Sequence, residues 1–113
     1  MKIKLKDIAG ARSGDKGKSS NVGIYFYDPN IYLWAKKNIT EKLIKNHFSE
    51  IVQGEVIRYE LDNILALNFI LNDSLGGGGS ETLINDAQGK THGQAALLLD
   101  IELPKELEEY VKS

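Results

Sequence analysis

Cysteine is missing from all 113 residues. Its absence excludes a disulfide framework, a thiolate nucleophile and any zinc or iron–sulfur site built on thiolates. It also leaves the redox compartment undefined. Histidine is nearly missing: His47 and His92 stand alone, with no local carboxylate cluster beside either, which makes a poor case for a metal. No apolar run approaches the roughly 20 residues that a membrane helix needs. The opening Lys2-Ile3-Lys4-Leu5-Lys6 alternates like a strand and lacks the apolar centre of a secretory signal. A cytoplasmic protein with no membrane partner is expected. A basic surplus is missing too: the formal net charge is −2, which argues against a nucleic-acid partner.

What is present is ordinary globular material, with 42% apolar and 27% charged residues. A chain of this length predicts one domain, 1–113, with a core that needs no staples. Alternation predicts a strand over 2–9 with Ile3 and Leu5 inward, and a second through Val22, Ile24 and Phe26. Asp28-Pro29 is a helix start, since Asp28 can cap free amides and Pro29 suits the first helical position. Helical spacing continues through Ile31 and Trp34. Thr40-Glu41 restarts a helix whose apolar stripe is Leu43, Ile44, Phe48, Ile51 and Val52, closed by Gly54. Residues 55–61 alternate, with Ile57, Tyr59 and Leu61 on one face and Val56, Arg58 and Glu60 on the other. Asp62-Asn63 forms a turn, and the apolar Ile64–Leu71 reads as a central strand covered on both faces. Residues 91–98 read as a short helix capped by Thr91 or as the start of a strand. Leu99, Ile101 and Leu103 alternate into a last strand ended by Pro104, and 105–111 read as a charged helix with Leu107 and Val111 inward. This order implies an α+β fold: a ferredoxin-like antiparallel sheet with helices packed on one face.

Most of the chemistry gathers in Ala11-Arg12-Ser13-Gly14-Asp15-Lys16-Gly17-Lys18-Ser19-Ser20-Asn21, read as a polar loop between strands. Arg12 offers a bidentate fork for carboxylate or phosphate, and Lys16 and Lys18 offer point charges. Glycine and serine amides can form an anion nest. Asp15 is placed to orient Arg12 or Lys16, or to act as a base; a solvated turn held by an Arg–Asp pair is the plainer reading. A phosphate-binding P-loop is excluded, because the glycine required five residues before Gly17-Lys18 is Arg12 and a strand follows where a helix should. The Gly76-Gly77-Gly78-Gly79-Ser80 run copies a common linker, but neither flank could be a domain alone, so it reads as a native loop.

Other residues read as structure first. His47 flanks the apolar stripe of the second helix and reads as a packed helix-edge residue. His92, in Thr91-His92-Gly93 after a turn, reads as a surface histidine and otherwise as a proton-transfer group. Asn68 inside an apolar strand must find partners, by pinning a neighbour or by pointing into a pocket. Arg58 and Glu60 read as a solvated or interface pair. Tyr25, Tyr27, Tyr32 and Trp34 read as core or interface packing rather than as an aromatic platform.

Three stretches carry a resemblance. They are Ala11–Gly17 with Ser20-Asn21-Val22-Gly23-Ile24; Gly54-Glu55-Val56 with Arg58-Tyr59-Glu60-Leu61 and Ala66-Leu67-Asn68-Phe69; and Leu75-Gly76-Gly77-Gly78 with Asp86-Ala87-Gln88-Gly89-Lys90-Thr91 and Gly93. In this order, over about residues 5–103, they resemble the small AtuA-like domain. Lys18 departs from the acidic or neutral residue of that pattern. The resemblance implies a ferredoxin-like fold and a link to bacterial catabolism of acyclic terpenes, which proceeds through acyl-CoA esters. The domain is often the C-terminal part of a much larger protein, so a stand-alone version implies a larger AtuA-like subunit as partner; a structural reading beside it is homo-oligomerisation through an exposed sheet face or edge. The role expected is an accessory or interaction module without a cofactor or metal, contributing a site for a small anionic or acyl-CoA ligand. Its expected ligand-binding residues are Arg12, Ser13, Gly14, Lys16, Gly17, Ser20, Asn21, Gly77, Gly78 and Lys90. A small enzyme acting on an acid or acyl thioester is the alternative, with Asp15 or His92 moving the proton.

Overall fold

The computed structural model describes residues 1–16, 19–48, 52, 54–72 and 93–111 and, of Asp15 and Lys16, the backbone alone. The chain runs β1 (Lys2–Lys4), β2 (Ala9–Lys16), β3 (Ser19–Phe26), α1 (Pro29–Asn38), α2 (Glu41–His47), β4 (Val56–Leu61), β5 (Ala66–Leu71) and β6 (Asp100–Glu102). A four-stranded sheet of order β2-β3-β5-β4 is antiparallel at each junction, and β1 pairs with β6 in a separate antiparallel ribbon. This is the expected α+β arrangement, antiparallel sheets with helices packed against them.

Two local expectations change. The strand predicted over 2–9 is broken: β1 ends at Lys4, a 3-10 turn spans Leu5–Asp7, and β2 begins at Ala9. The break lets Leu5 turn inward with no exposure, while Leu5 N and Lys6 N donate to Leu99 O and Leu97 O, both at 2.9 Å. The described residues of the polar stretch are strand rather than loop. Residues 9–16 pair with 19–26 as a hairpin, from Ala9 opposite Phe26 to Lys16 opposite Ser19. Its glycines and hydroxyls carry no strand signal of their own, and pairing with a strongly apolar neighbour orders them.

The helix starts are those read from the caps. Asp28 Oδ1 accepts from Asn30 N at 2.8 Å and Ile31 N at 3.4 Å, with Pro29 in the first turn. Thr40 Oγ1 accepts from Leu43 N at 3.2 Å. Residues 93–96 form a helical turn, which settles the open alternative for that part of 91–98, and Lys105–Tyr110 is 3-10 helix with Leu107 and Val111 against the core.

One apolar cluster joins every layer. It holds Val22, Ile24 and Phe26 of β3, Leu67, Phe69 and Leu71 of β5, Ile31, Tyr32 and Ala35 of α1, Ile44 of α2, and Ile3 and Ile101 of the ribbon. Both helices therefore lie on one side of the four-stranded sheet. The register then fixes the opposite side in three rows across β2, β3, β5 and β4: Gly14-Asn21-Ile70-Ile57, Arg12-Gly23-Asn68-Tyr59 and Gly10-Tyr25-Ala66-Leu61. Strand β4 keeps the two alternating sets read from the sequence, and the register assigns their sides. Ile57, Tyr59 and Leu61 face away from the helices, and Val56, Arg58 and Glu60 face toward them. Strand β5 is central as expected; its helix-side residues are buried, and on the opposite side Ala66 is buried while Asn68 and Ile70 stay partly exposed.

Candidate functional site on the open sheet face

The hairpin sorts the polar stretch by alternation. Arg12, Gly14 and Asn21 belong to the open face, whereas Ser20 is 2% exposed on the helix side. Ser13 also lies on the helix side, where Gly93 comes up against it. A Cβ on Gly93 would sit 3.2 Å from Ser13 Oγ and 3.4 Å from the Arg12 carbonyl carbon, so a glycine is what this approach tolerates. Thus Ser13 and Ser20 alternate to the helix side of the sheet, away from Arg12, Gly14 and Asn21, although Ser20 still contributes with Asn21 to a cavity lining. Asp15 and Lys16 continue β2 as register partners of Ser20 and Ser19. Gly17, Lys18, Gly77, Gly78, Lys90 and His92 lie outside the described residues.

The open face has a polar centre. Arg12 is exposed, and its guanidinium carbon stands 5.7 Å from the centroid of the Tyr25 ring, a cation–π distance. Stacking of this kind holds the plane of the fork while leaving its N–H edge free for a carboxylate or phosphate. Next to it Gly23 supplies no side chain, and a Cβ there would meet only Asn68 Oδ1 at 3.6 Å and Arg12 O at 3.9 Å. Across that gap Asn21 Nδ2 donates to Asn68 Oδ1 at 3.3 Å. Ser19 Oγ donates to Asn72 Oδ1 at 3.0 Å. Ser19, Ser20, Asn21, Asn68 and Ile70 line a cavity of about 270 Å³. A larger hollow of about 590 Å³ lies over the ribbon between Lys2, Lys4, Asp7, Asp100 and Glu102, but its charges already pair across the strands, Lys4 with Asp100 and the terminal amine with Glu102. The smaller cavity is the candidate site, lined by amide and hydroxyl groups and an isoleucine, with Arg12 stacked on Tyr25 outside that lining.

Asn68 finds the partner its place in an apolar strand demanded, by accepting from Asn21 and lining the cavity, whereas Gly23, Tyr25 and Ile70 were not among the expected site residues. The period-two spacing Asn21, Gly23, Tyr25 was the available signal; the partners on β5 required the register. The aromatic group is divided between faces. Tyr25 and the half-exposed Tyr27 belong to the open side, while Tyr32 is buried against Phe26 at 6.1 Å and Trp34 packs on the core from α1. His47 is a helix-edge residue as read, its ring 5.0 Å from that of Phe48 and its Nε2 2.9 Å from Ala95 O.

A second polar cluster lies on the helix side. Tyr32 donates to Asp62 Oδ1 at 2.6 Å, and Lys36 Nζ is 3.1 Å from the same oxygen. Burial, reinforced by the bond to Asp62, pushes the Tyr32 phenol above its ordinary value. The Tyr32 and Lys36 hydrogen bonds in turn hold the Asp62 carboxyl below its own. Arg58 Nη1 donates to Lys36 O at 2.8 Å and Ile39 O at 3.1 Å, and Nη2 to Glu60 Oε2 at 3.0 Å. Its side chain is 16% exposed, so Arg58 is a helix-end clasp rather than half of a solvated pair.

Among the described residues no group of three His, Cys, Asp or Glu side chains could hold a metal ion, and no helix is long and apolar enough to cross a membrane. The family model described as the AtuA ferredoxin-like domain matches residues 3–104. No curated protein and no solved structure matches the chain.

Proposed function

We propose a role that proceeds from the family: the chain belongs to the AtuA ferredoxin-like domain family, and it serves as an accessory module to a larger AtuA-like catabolic protein, to which it contributes an anion-binding surface. The observation that carries this reading is Arg12 propped over Tyr25 beside the Asn21–Asn68 amide pair. A stacked guanidinium and a free amide edge suit a carboxylate, a phosphate or the phosphates of an acyl-CoA. An arginine held by an aromatic ring and a pair of side-chain amides on one sheet face support a binding role.

Two measurements test it. Thermal unfolding with inorganic phosphate, a short carboxylic acid and acetyl-CoA, each titrated separately, is expected to give a saturable rise with at least one probe, lost in Arg12→Ala. Co-expression with an AtuA-like large protein is expected to give a complex that stays together on size exclusion. No shift with any probe removes the anion site, and independent elution removes the accessory role.

The cavity of about 270 Å³ beside Ile70 favours one second reading, a small ligand-binding protein or enzyme for an acid or acyl thioester. It predicts the same thermal shift with no complex.

A further inference from the structure

The open face is unusually poor in charge. Of its three complete rows of four residues, Arg12 alone is charged, and Lys16 at the end of β2 adds a second cation position on the same face, whereas a chain with 27% charged residues would place about three in the twelve by composition. Its bulk is also lopsided. The β4 side presents Ile57, the 52% exposed Tyr59 and the 43% exposed Leu61. The β2–β3 side presents Gly14 and Gly23, where a Cβ would meet, among the described residues, only the Asn21 and Asn68 amide oxygens and the Arg12 carbonyl.

We propose that two copies of this chain pair face to face through this side of the sheet, with the two-fold axis along the strands. That axis is the one that lays the β4 column of each copy over the β2 column of the other. Row by row, Ile57 then meets the gap at Gly14, and Tyr59 lies over Arg12 while Asn68 of the partner subunit lies over Gly23. The Arg12 guanidinium lies between its own Tyr25 and Tyr59 of the partner subunit, a cation held by two rings. An axis across the strands would instead set Tyr59 against Tyr59 and leave the glycine gaps empty on both sides. Four strands about 4.8 Å apart and three rows about 6.8 Å apart give a flat face near 400 Å², or roughly 1,000 Å² of accessible surface over both copies. That is the lower limit of a specific interface, so association in the micromolar range is expected. Arg12 is on the edge strand, so its N–H edge stays at the rim of the seam. The pairing does not rest on the anion-binding role, and each can fail alone.

Sedimentation velocity on the full chain from about 1 to about 100 µM is expected to show the mean mass rising toward twice that of the monomer. Ile57→Lys and Gly14→Asp should each weaken association at least tenfold, because each sets an unpaired charge against the other copy. Mixed in equal amounts, the two variants should recover dimer, since one seam then holds Asp against Lys and the other is native. Tyr59→Ser serves as a third weakening variant at an exposed position, and circular dichroism establishes that every variant is folded. A wild-type chain that stays monomeric at the highest concentration overturns the proposal. So does a dimer indifferent to all three substitutions, as pairing through the β4 edge would be, and so does a mixture no more associated than its components.

Discussion

Arg58 shows how much one side chain can decide. Its fork takes the carbonyls of Lys36 and Ile39, which close the C-terminal end of α1, and so ties that helix to β4. Arg58→Met is expected to cost about 2 kcal/mol in urea unfolding, because two charge-assisted bonds go and the carbonyls are left in a largely closed site. Arg58→Lys should recover only part, since one ammonium cannot serve both carbonyls and Glu60 with the same planar geometry. Asp62 adds a pH dependence. Its folded pKa is lowered, first by the Tyr32 bond and then by Lys36. The contribution is therefore complete above the ordinary carboxylate value of 3.8 and is lost as pH falls through the lower folded value. The gap in urea midpoint between wild type and Asp62→Asn should be steady near neutrality and shrink in acid below that value. A gap that persists unchanged in acid would show that the Asp62 charge contributes nothing.

Elements follow their caps and pairings more closely than their local propensities. The starts of α1 and α2 were legible because Asp28-Pro29 and Thr40 act on amides two or three residues away, and that chemistry is entirely local. The strand at 56–61 was legible as a strand but not for its facing. Ile57, Tyr59 and Leu61 are the more apolar set, yet they point away from the helices, because Arg58 has helix-end carbonyls to satisfy that lie 19 and 22 residues away in sequence. Likewise the hairpin of β2 and β3 hid behind residues that favour turns, and the Asn21–Asn68 pair of the candidate site waited on a register that spans 47 residues. Arg12 and Asn21 could be picked from residue chemistry, and Asn68 as an amide in need of a partner; Gly23 and Tyr25 could not, because only pairing assembles them. At the start of β4, Gly54 N donates to Asn72 O at 3.0 Å, and a Cβ on Gly54 would stand 2.9 Å from that same oxygen. Gly54→Ala must therefore move backbone, and a loss of about 1–3 kcal/mol is expected. Hydrogen exchange should show the amides of Gly54 and Asn72 losing protection first. Unchanged stability would mean that the β4–β5 end yields freely.

The whole molecule is closed by its first and last strands. Lys2, Ile3 and Lys4 pair with Glu102, Ile101 and Asp100, and Leu103 N donates to Met1 O at 2.8 Å. This ribbon is two strands wide and too small to stand alone. It persists because Ile3, Ile101 and Leu103 enter the same apolar cluster as β3, β5 and α1. One core shared between two sheets makes them a single cooperative unit, whereas two cores would let the ribbon peel away first. Ile101 is the place to separate these outcomes: it is 5% exposed and sits at the middle of the ribbon, opposite Ile3. Ile101→Ala removes buried methylenes and is expected to cost about 2–4 kcal/mol. Because the core is continuous, that loss should lower the midpoint of the whole transition, with far-ultraviolet ellipticity and Trp34 fluorescence still coinciding. Trp34 lies on α1, and a ribbon that merely docks on the larger sheet would leave its transition in place while the ellipticity change split in two. The long sequence separation between the ribbon strands adds a kinetic consequence, since their closure must order nearly the entire chain. If the ribbon joins late, Ile101→Ala should speed unfolding and leave the refolding rate almost unchanged; a slowed refolding limb would instead place the meeting of β1 and β6 within the folding nucleus.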